Sequence, residues 1–430
     1  MRIRPATTAV PTAPRPDVDP ATATAPDGSA LSRCVAMEPG KFAAAVWGHA
    51  PLLSRAAELA GPRGFADLLS PDAVDELLSR RGLRTPFLRV ANQGTVLPTG
   101  RFTGGGGVGA AVADQVIDDK VLRLYADGAT LVLQGLHRIW PPLIDFARRL
   151  GAQLRQPVQV NAYLTPDGNQ GFATHYDTHD VFVLQIDGSK RWRVHEPVLN
   201  DPLEAQAWGD RADEVGATAR GPAALDVLLA PGDALYLPRG WLHSAEAQDG
   251  RSLHVTAGVR ALTRYALVEE LLGLAAEDQR LRAGLPFGLD VTDPDRLDPE
   301  LAETVEALRD WLLTAAPAAV ADRLRERVWP AGRPAPIAPL AQLDFAERLS
   351  TADRITAREG LRWRLAPAGN RVILHLEGRT LRFPAYCGPG VEAALGGGPR
   401  RVGELPGLDA DADRLVLARR LLKEGLVVPA

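Results

Sequence analysis

The chain has 430 residues, a formal net charge of −4 and two cysteines. Its length exceeds what one simple core needs, so two or three domains are expected, and its charge excludes a general attraction to nucleic acid or to anionic membranes. No apolar run reaches the roughly 18 residues of a transmembrane helix, and two cysteines are too few for a disulfide framework, which favours a cytoplasmic location.

The amino-terminal part of the chain divides into a tail, a helical segment and a glycine-rich loop. Residues 1–30 are rich in Ala, Pro and Thr and lack the unbroken apolar core of a signal peptide, so we predict a disordered tail. Residues 36–80 show helical periodicity. The glycine run at 104–107 lacks the following Lys-Ser/Thr of a phosphate-binding loop, and we interpret it as a lid or a loop near the substrate.

Strand patterns occupy residues 121–261 and predict a small antiparallel β-barrel. The apolar run 181–186, the turn dipeptide Asp187-Gly188 and the segment 190–194 indicate a hairpin. A second hairpin is predicted over residues 227–238, around a Pro-Gly-Asp turn.

The most informative pattern is His175-Tyr176-Asp177 followed by a distant histidine, His243. Two neutral imidazoles and one carboxylate can occupy one face of an octahedral Fe(II) ion and leave three sites for a bidentate 2-oxo acid and O2. A cosubstrate with a second carboxylate then needs a cation away from the metal. Lys190, one of only four lysines among 49 basic residues, is the candidate, because an ammonium group is a compact point charge.

Two other histidines near this pattern have simpler interpretations. His175 and His179 are four residues apart, but in β or loop conformation such a pair does not share one face as it would on a helix. His179 is therefore expected beside the ligands or at the surface. His254 alternates with Leu253 and Val255 on a strand, so we expect a histidine of the core, or one beside the metal ligands, rather than a fourth ligand.

Beyond the barrel, residues 263–340 turn helical and end in a Pro-rich linker. Residues 341–430 combine a hairpin that has Asn370 in its turn, a helix at 415–422 and a final strand. Residues 351–430 contain 13 Lys/Arg and 9 Asp/Glu, so 13 − 9 = +4. A modest excess of this kind is more typical of solvated arginine than of a nucleic-acid surface, so nucleic acid is not the expected partner.

Five segments around the motif share residues with a known family: NAYLTP (161–166), GFATHYD (171–177), FVLQ (182–185), KRW (190–192) and YLPRGW (236–241). Together they resemble the JmjC-type cupin oxygenases, and within these the ribosomal-oxygenase branch. The resemblance implies an α+β protein in which residues 31–262 form a double-stranded β-helix (cupin/JmjC) catalytic barrel. It also implies a helical, dimerisation-type segment over 263–340 and a winged-helix-like domain over 341–430.

The resemblance further implies Fe(II)- and 2-oxoglutarate-dependent hydroxylation of a protein side chain, usually at the β-carbon of an Arg or His in a ribosomal protein. Carried over by position, the iron ligands and catalytic residues are His175, Asp177 and His243. Lys190 would pair with the distal carboxylate of 2-oxoglutarate. The expected partners are a protein or peptide substrate and a second copy of the chain, with no membrane.

Four further residues match family positions that face the cosubstrate or the substrate. Asn161 and Tyr163 fall on cosubstrate-facing positions, and Gln134 falls on the substrate channel. Gly258 stands where the histidyl hydroxylases carry a substrate-facing serine. The glycine departs from the histidyl pattern, so the identity of the modified residue stays open.

Three other functions are compatible with the same motif. A hydroxylase of a peptide natural product or a free amino acid would use the same metal site with a differently shaped substrate entrance. An N-methyl-lysine demethylase would hydroxylate a methyl group and release formaldehyde. A non-catalytic cupin would bind metal structurally, although a structural site usually closes its coordination sphere.

Overall fold

The computed structural model describes residues 29–61, 64–92, 94–329 and 332–430. The predicted tail of residues 1–30 lies outside these residues except for Ser29 and Ala30, which are both buried. Ala30 is part of the main hydrophobic core, so the predicted tail extends too far into the folded region.

Short strands and helices alternate through the first 260 residues. The strands are β1 (Leu52–Ser54), β2 (Leu88–Asn92), β3 (Thr95–Val96), β4 (Thr103–Gly104), β5 (Gln115–Val116), β6 (Thr130–Leu133), β7 (Val158–Thr165), β8 (Asp180–His195), β9 (Leu225–Leu229), β10 (Ala234–Leu237) and β11 (Leu242–Val259). The helices are α1 (Pro39–Ala45), α2 (Pro71–Arg80), α3 (Asp118–Ala126), α4 (Leu136–Ile139), α5 (Pro141–Leu154) and α6 (Ala212–Ala219).

One large antiparallel sheet carries the site. Its strand order is β1-β10-β8-β11-β7-β6-β2-β3, and β9 also pairs with β8. The predicted barrel boundary at residue 121 is therefore too late, since β1, β2 and β3 already belong to this sheet. The first part of β8, residues 180–186, is buried on both faces: Phe182 and Leu184 pack into the main core, while Val181 and Val183 pack into a second cluster with Trp192.

The predicted hairpin at Asp187-Gly188 is wrong, because β8 continues through these residues as one bent strand. Gly188 has φ +62°, and a Cβ at this position would collide with the carbonyl oxygen of Arg251. The first half of β8 pairs with the second half of β11, and the second half of β8 with the first half of β11, with register shifts between the two halves. Gly188 thus makes a bend of the kind that glycine permits within a strand, and the chain does not reverse.

The second predicted hairpin is wrong for a related reason. Strand β9 pairs with residues 190–194 of β8, whereas β10 pairs with residues 181–184. The turn around Gly232, which has φ +94°, moves the chain from one half of β8 to the other. A turn signal shows that the chain changes direction, but it does not show which strand the next segment joins.

The helical prediction for residues 263–340 is confirmed. The helices are α7 (Arg264–Ala275), α8 (Gln279–Arg282), α9 (Pro294–Thr314) and α10 (Pro317–Val328). Ala266 and Ala275 of α7 are buried, and the residues of α9 and α10 are all at least partly exposed. In the part of the chain that the structure describes, no helix combines the length and apolarity needed to cross a bilayer.

The last ninety residues have their own hydrophobic core. The elements are α11 (Pro339–Glu347), β12 (Arg354–Ala357), β13 (Trp363–Ala368), β14 (Arg371–Leu376), β15 (Arg379–Pro384), α12 (Gly388–Leu395), β16 (Arg400–Arg401), α13 (Asp411–Lys423) and β17 (Val427–Pro429). They include two three-stranded sheets, β16-β12-β17 and β13-β14-β15. The predicted hairpin around Asn370 is confirmed as β13 and β14, and the predicted helix is confirmed as α13.

Candidate active site

The three residues of the His-Asp-His pattern meet at one end of the barrel. His175 and Asp177 lie between β7 and β8, and His243 is the second residue of β11. Their ligand atoms all lie within 4.8 Å of one another. A two-residue bridge sets this spacing: the His175 amide donates to the His243 carbonyl (3.2 Å) and the His243 amide donates to the His175 carbonyl (2.8 Å). The two imidazole centroids are consequently 4.5 Å apart.

Backbone carbonyls fix the orientation of both imidazoles. Nδ1 of His175 is 2.8 Å from the carbonyl oxygen of Ala173, and Nδ1 of His243 is 3.1 Å from that of Trp241. Because a carbonyl oxygen only accepts, each Nδ1 carries the proton and donates it. The Nε2 lone pairs are then free for a metal, which is the usual arrangement of metal-binding histidines.

The surroundings of the cluster favour the neutral form of His243 and the ionised form of Asp177. Burial, together with the charge of His175, lowers the pKa of His243 to about 4, although Asp177 acts in the opposite direction. Burial raises the pKa of Asp177, but His243, His179, His175 and Arg89 together hold it below its ordinary value. Asp177 Oδ2 lies 3.7 Å from His243 Nε2. Two imidazole nitrogens and a carboxylate oxygen on one side of an open space are a donor set that suits Fe(II).

A cavity of about 570 Å³ opens in front of the three ligands. Its lining includes His175, Asp177 and His243 together with the four other sequence-predicted residues Lys190, Asn161, Tyr163 and Gln134. The structure therefore brings seven of the eight predicted site residues to one cavity. The eighth, Gly258, does not line it.

Lys190 is a buried cation at the inner wall of this cavity. Its side chain is 3% exposed, and its ammonium group donates to Thr165 Oγ1 at 2.9 Å. Burial lowers the pKa of Lys190 to about 7. Among the described residues, no carboxylate pairs with it, although burial of an unpaired charge is costly. A ligand carboxylate in the cavity would supply the missing partner.

Two aromatic residues beside Lys190 also present unsatisfied polar atoms. The His254 ring stacks on Tyr163 with centroids 4.9 Å apart and meets Trp192 edge-on at 5.5 Å. His254 Nδ1 and Trp192 Nε1 are buried with no hydrogen-bond partner in the described structure. The expectation of a core histidine is confirmed, but His254 and Trp192 line the cavity as well. Buried polar atoms without partners are rare, and both of these belong to residues that line the cavity.

Sequence reasoning missed Arg89, which enters the cavity from β2. Its guanidinium lies over the Phe172 ring, 5.3 Å from the centroid, and its charge contributes to the low pKa of Asp177. Its Nε is buried and unpaired in the described structure. No local signal identifies it, because β2 reaches the site only through its pairing with β6.

His179 fills the space that the missing side chain of Gly258 leaves. A Cβ on Gly258 would lie 2.7 Å from two atoms of the His179 ring and 3.2 Å from Gln159 Cγ. His179 and Gln159 both line the cavity, and their side-chain nitrogens are 3.4 Å apart. Of the two expected positions of His179, beside the His-Asp-His residues or at the surface, the structure shows the first, in the space that the glycine leaves open.

Replacing Gly258 with Ser is expected to displace His179 and lower the melting temperature, because overpacking of this kind costs about 1–3 kcal/mol. Adding His179→Ala to Gly258→Ser should restore most of the loss. Gly209→Ser is the control, since Gly209 has no neighbour within 4 Å of the added Cβ. Thermal denaturation followed by circular dichroism makes the comparison. A double variant no more stable than Gly258→Ser would show that the two residues do not compete for this space.

With this geometry established, comparison with known proteins gives the class. Residues 143–267 match the family model of the JmjC domain. The crystal structure of the Escherichia coli ribosomal oxygenase YcfD superposes with a TM-score of 0.50 at 18% identity, covering 92% of this chain and 98% of that one. The chain is a JmjC-domain protein with the cupin fold.

The chain is similar in sequence to curated proteins that are named as ribosomal oxygenases or histidyl hydroxylases. It is 30% identical over 351 residues to human ribosomal oxygenase 1, which covers 71% of this chain and 54% of that protein. It is 31% identical over 271 residues to the bifunctional lysine-specific demethylase and histidyl-hydroxylase NO66 of Drosophila persimilis, which covers 53% of this chain and 37% of that protein. The chain thus spans about a third to a half of the length of these relatives.

Proposed function

We propose that the protein is an Fe(II)- and 2-oxoglutarate-dependent dioxygenase that hydroxylates a protein side chain. The observation that carries this proposal is one cavity holding both the His175, Asp177 and His243 donor set and the buried, unpaired Lys190. When bound, iron and 2-oxoglutarate couple the oxidative decarboxylation of the cosubstrate to succinate and CO2 with insertion of one oxygen atom of O2 into a substrate C–H bond.

The residues of the chain would position these groups. His175, Asp177 and His243 would hold the metal, and backbone carbonyls already fix the orientation of the two imidazoles. Lys190 would bind the distal carboxylate of the cosubstrate by a charge-assisted hydrogen bond. Asn161 and Tyr163 would border it, and the apolar wall that includes Val181, Val183 and Leu237 would limit access of water.

The proposed substrate is an Arg or His side chain of a ribosomal protein, hydroxylated at the β-carbon. The names of the relatives support this substrate class. In addition, a solved structure of the E. coli ribosomal oxygenase contains cobalt and succinic acid, and succinate is the product that 2-oxoglutarate leaves in this chemistry. Gln134 at the cavity wall is proposed to contact the substrate.

Two measurements in sequence test the proposal. Anaerobic titration of 2-oxoglutarate into Fe(II)-loaded protein should produce a metal-to-ligand charge-transfer band. Incubation in air with ribosomal-protein fragments should then add one oxygen atom to a single peptide, detected by mass spectrometry and accompanied by succinate. Tightly bound metal without the band would favour a non-catalytic cupin. The band without modification of any ribosomal fragment would favour a peptide or amino-acid hydroxylase.

Demethylation of N-methyl-lysine is a second candidate function. The printed name of the Drosophila relative includes a lysine-specific demethylase activity, and hydroxylation of an N-methyl carbon would require the same iron and cosubstrate. Release of formaldehyde from a trimethyl-lysine peptide separates the two functions, because hydroxylation of a β-carbon releases none.

We also propose that α7 to α10 form a homodimer interface and that residues 341–430 are a winged-helix-like domain. Leu301 and Val305 lie one turn apart on α9 and are 53% and 56% exposed, and exposed apolar patches commonly mark protein interfaces. The two buried, unpaired cysteines favour a cytoplasmic location.

Light scattering coupled to size exclusion is expected to give the mass of a dimer for the wild type and of a monomer for Leu301→Glu/Val305→Glu. Leu122→Glu, a substitution at a residue of α3 that is 67% exposed, should leave the dimer intact. A wild-type protein that is already monomeric at micromolar concentration would contradict the interface.

A further inference from the structure

A second, larger cleft lies between the barrel and the carboxy-terminal domain. Its volume is about 1300 Å³, and its walls come from α5, α10, the Pro-rich segment after α10 and the loops around β13 to β15. Among the residues that the structure describes, the lining contains eight arginines but only one carboxylate, Glu377. This concentration of charge is unexpected in a chain whose formal net charge is −4.

Part of this charge is neutralised by neighbouring groups. Arg148 pairs with Glu359, Arg325 with Asp322 and Arg379 with Glu424. Two further arginines donate to backbone carbonyls, Arg358 to Ala335 and Arg362 to Val328. These five side chains hold the cleft together, so they are not available to bind a ligand freely.

The remaining three arginines are Arg138, Arg155 and Arg333, and they form no salt bridge with any residue that the structure describes. Arg138, Arg333 and Arg362 line the cleft together with Glu377, and all three are near enough for their charges to act on this partly buried carboxylate. Burial, followed by the charge of Arg333, lowers the pKa of Arg138. Like charges that are held this close create a positive potential, which an anionic ligand would relieve.

Two tryptophans stand among these arginines. Trp329 and Trp363 both line the cleft and are both partly exposed. The Arg325 guanidinium lies over the Trp329 ring, 5.4 Å from its centroid. Arginines that contact phosphates, alternating with flat aromatic surfaces on which bases stack, are the combination that binds single-stranded nucleic acids.

We propose that this cleft binds a single-stranded nucleic acid through its phosphate backbone, with bases stacked on Trp329 and Trp363. Small-molecule sites usually measure about 300–1,000 Å³, so a cleft of about 1300 Å³ fits a segment of a polymer better than a single metabolite. An acidic peptide would satisfy the arginines but would leave the aromatic surfaces unused. His137 lines both this cleft and the cavity of the proposed active site, so a bound strand would lie next to that cavity.

The test is fluorescence anisotropy of a labelled single-stranded oligonucleotide with the full-length protein at several salt concentrations. RNA and DNA of one sequence are compared, with poly-glutamate as a competitor. Wild-type affinity should fall as salt rises. Arg138→Ala/Arg155→Ala/Arg333→Ala should bind at least about tenfold more weakly and lower the salt slope by about 2, because each phosphate contact on a single strand contributes about 0.7. Trp363→Ala should weaken binding with the salt slope unchanged, since base stacking releases no counterions.

The matched control is Arg149→Ala/Arg371→Ala/Arg382→Ala. These three arginines are exposed and lie outside the cleft, and their replacement removes the same total charge as the cleft variant. The affinity and the salt slope should therefore stay close to those of the wild type. If both triple variants lose affinity equally, the binding depends only on total charge and the proposed site is wrong. The proposal is also wrong if the wild type binds neither RNA nor DNA. Efficient displacement by poly-glutamate would replace nucleic acid with an acidic peptide as the ligand. None of these readouts uses turnover, so the outcome is independent of the proposed hydroxylase activity.

Discussion

Replacing His175 or His243 with Ala is expected to abolish hydroxylation and to weaken Fe(II) binding more than the roughly 10–100-fold that follows when only a group supporting a ligand is removed. Each substitution removes one of three atoms that lie within 4.8 Å of one another. The described structure offers no other cluster of metal-ligating residues that could hold the ion instead.

The matched control is His179→Ala. His179 lies in the same cavity, four residues after His175, but it is not part of the ligand cluster. Its removal should leave Fe(II) affinity within a few-fold of wild type, measured by anaerobic competition with a chromogenic chelator. Substantial loss of iron in His179→Ala, with iron retained in His243→Ala, would mean that the metal is held by the His175 and His179 pair and that the triad is misassigned.

The candidate metal-binding and cosubstrate-binding residues could be predicted from the sequence because they lie in or next to short, recognisable segments. His175, Asp177 and Lys190 lie close together in the chain, Tyr163 falls within a segment that resembles the family, and His243 follows another such segment by two residues. Both halves of β8 were predicted as strands, at residues 181–186 and 190–194, although the structure joins them into one.

The path of the chain could not be predicted in the same way. Asp187-Gly188 satisfies the local requirement of a hairpin turn, but β11 provides a partner for both halves of β8, and this long-range pairing decides that the strand bends instead. Local turn chemistry gives the allowed backbone conformations, whereas the partner strand selects one of them.

Features that depend on contacts between distant segments were also invisible. Arg89 reaches the site only because β2 joins the sheet. Gly258 of β11 meets His179, the residue before β8, only once β8 and β11 have paired. The basic cleft collects arginines from α5, α10 and the carboxy-terminal domain. The net charge of the whole chain is negative, so it gives no sign that these distant arginines gather in one place.

The second large effect is expected from Lys190 and depends on pH. The buried ammonium has a pKa of about 7 without a ligand, and a carboxylate bound beside it would favour the protonated form. Below pH 7 the site is already charged, so 2-oxoglutarate affinity should be nearly constant. Above pH 7 binding must take up a proton, and the dissociation constant should rise by up to about tenfold per pH unit.

Two substitutions at this position separate charge from packing. Lys190→Met keeps the length of the side chain but removes the charge-assisted hydrogen bond, which is worth about 1.5–3 kcal/mol, so affinity should fall roughly 10–150-fold and lose its pH dependence in this range. Lys190→Arg stays charged throughout, so it should retain part of the affinity and also show no change through pH 7.

Anaerobic titration of Fe(II)-loaded protein from about pH 6 to about pH 9, followed by the charge-transfer band, measures all three proteins. A wild-type dissociation constant that does not change with pH, together with normal binding by Lys190→Met, would remove Lys190 from the cosubstrate site. A pH dependence that persists in Lys190→Met would instead assign the proton to another group. If the slope is present only in the wild type, the low pKa of a buried, unpaired lysine is itself what makes cosubstrate binding sensitive to pH near neutrality.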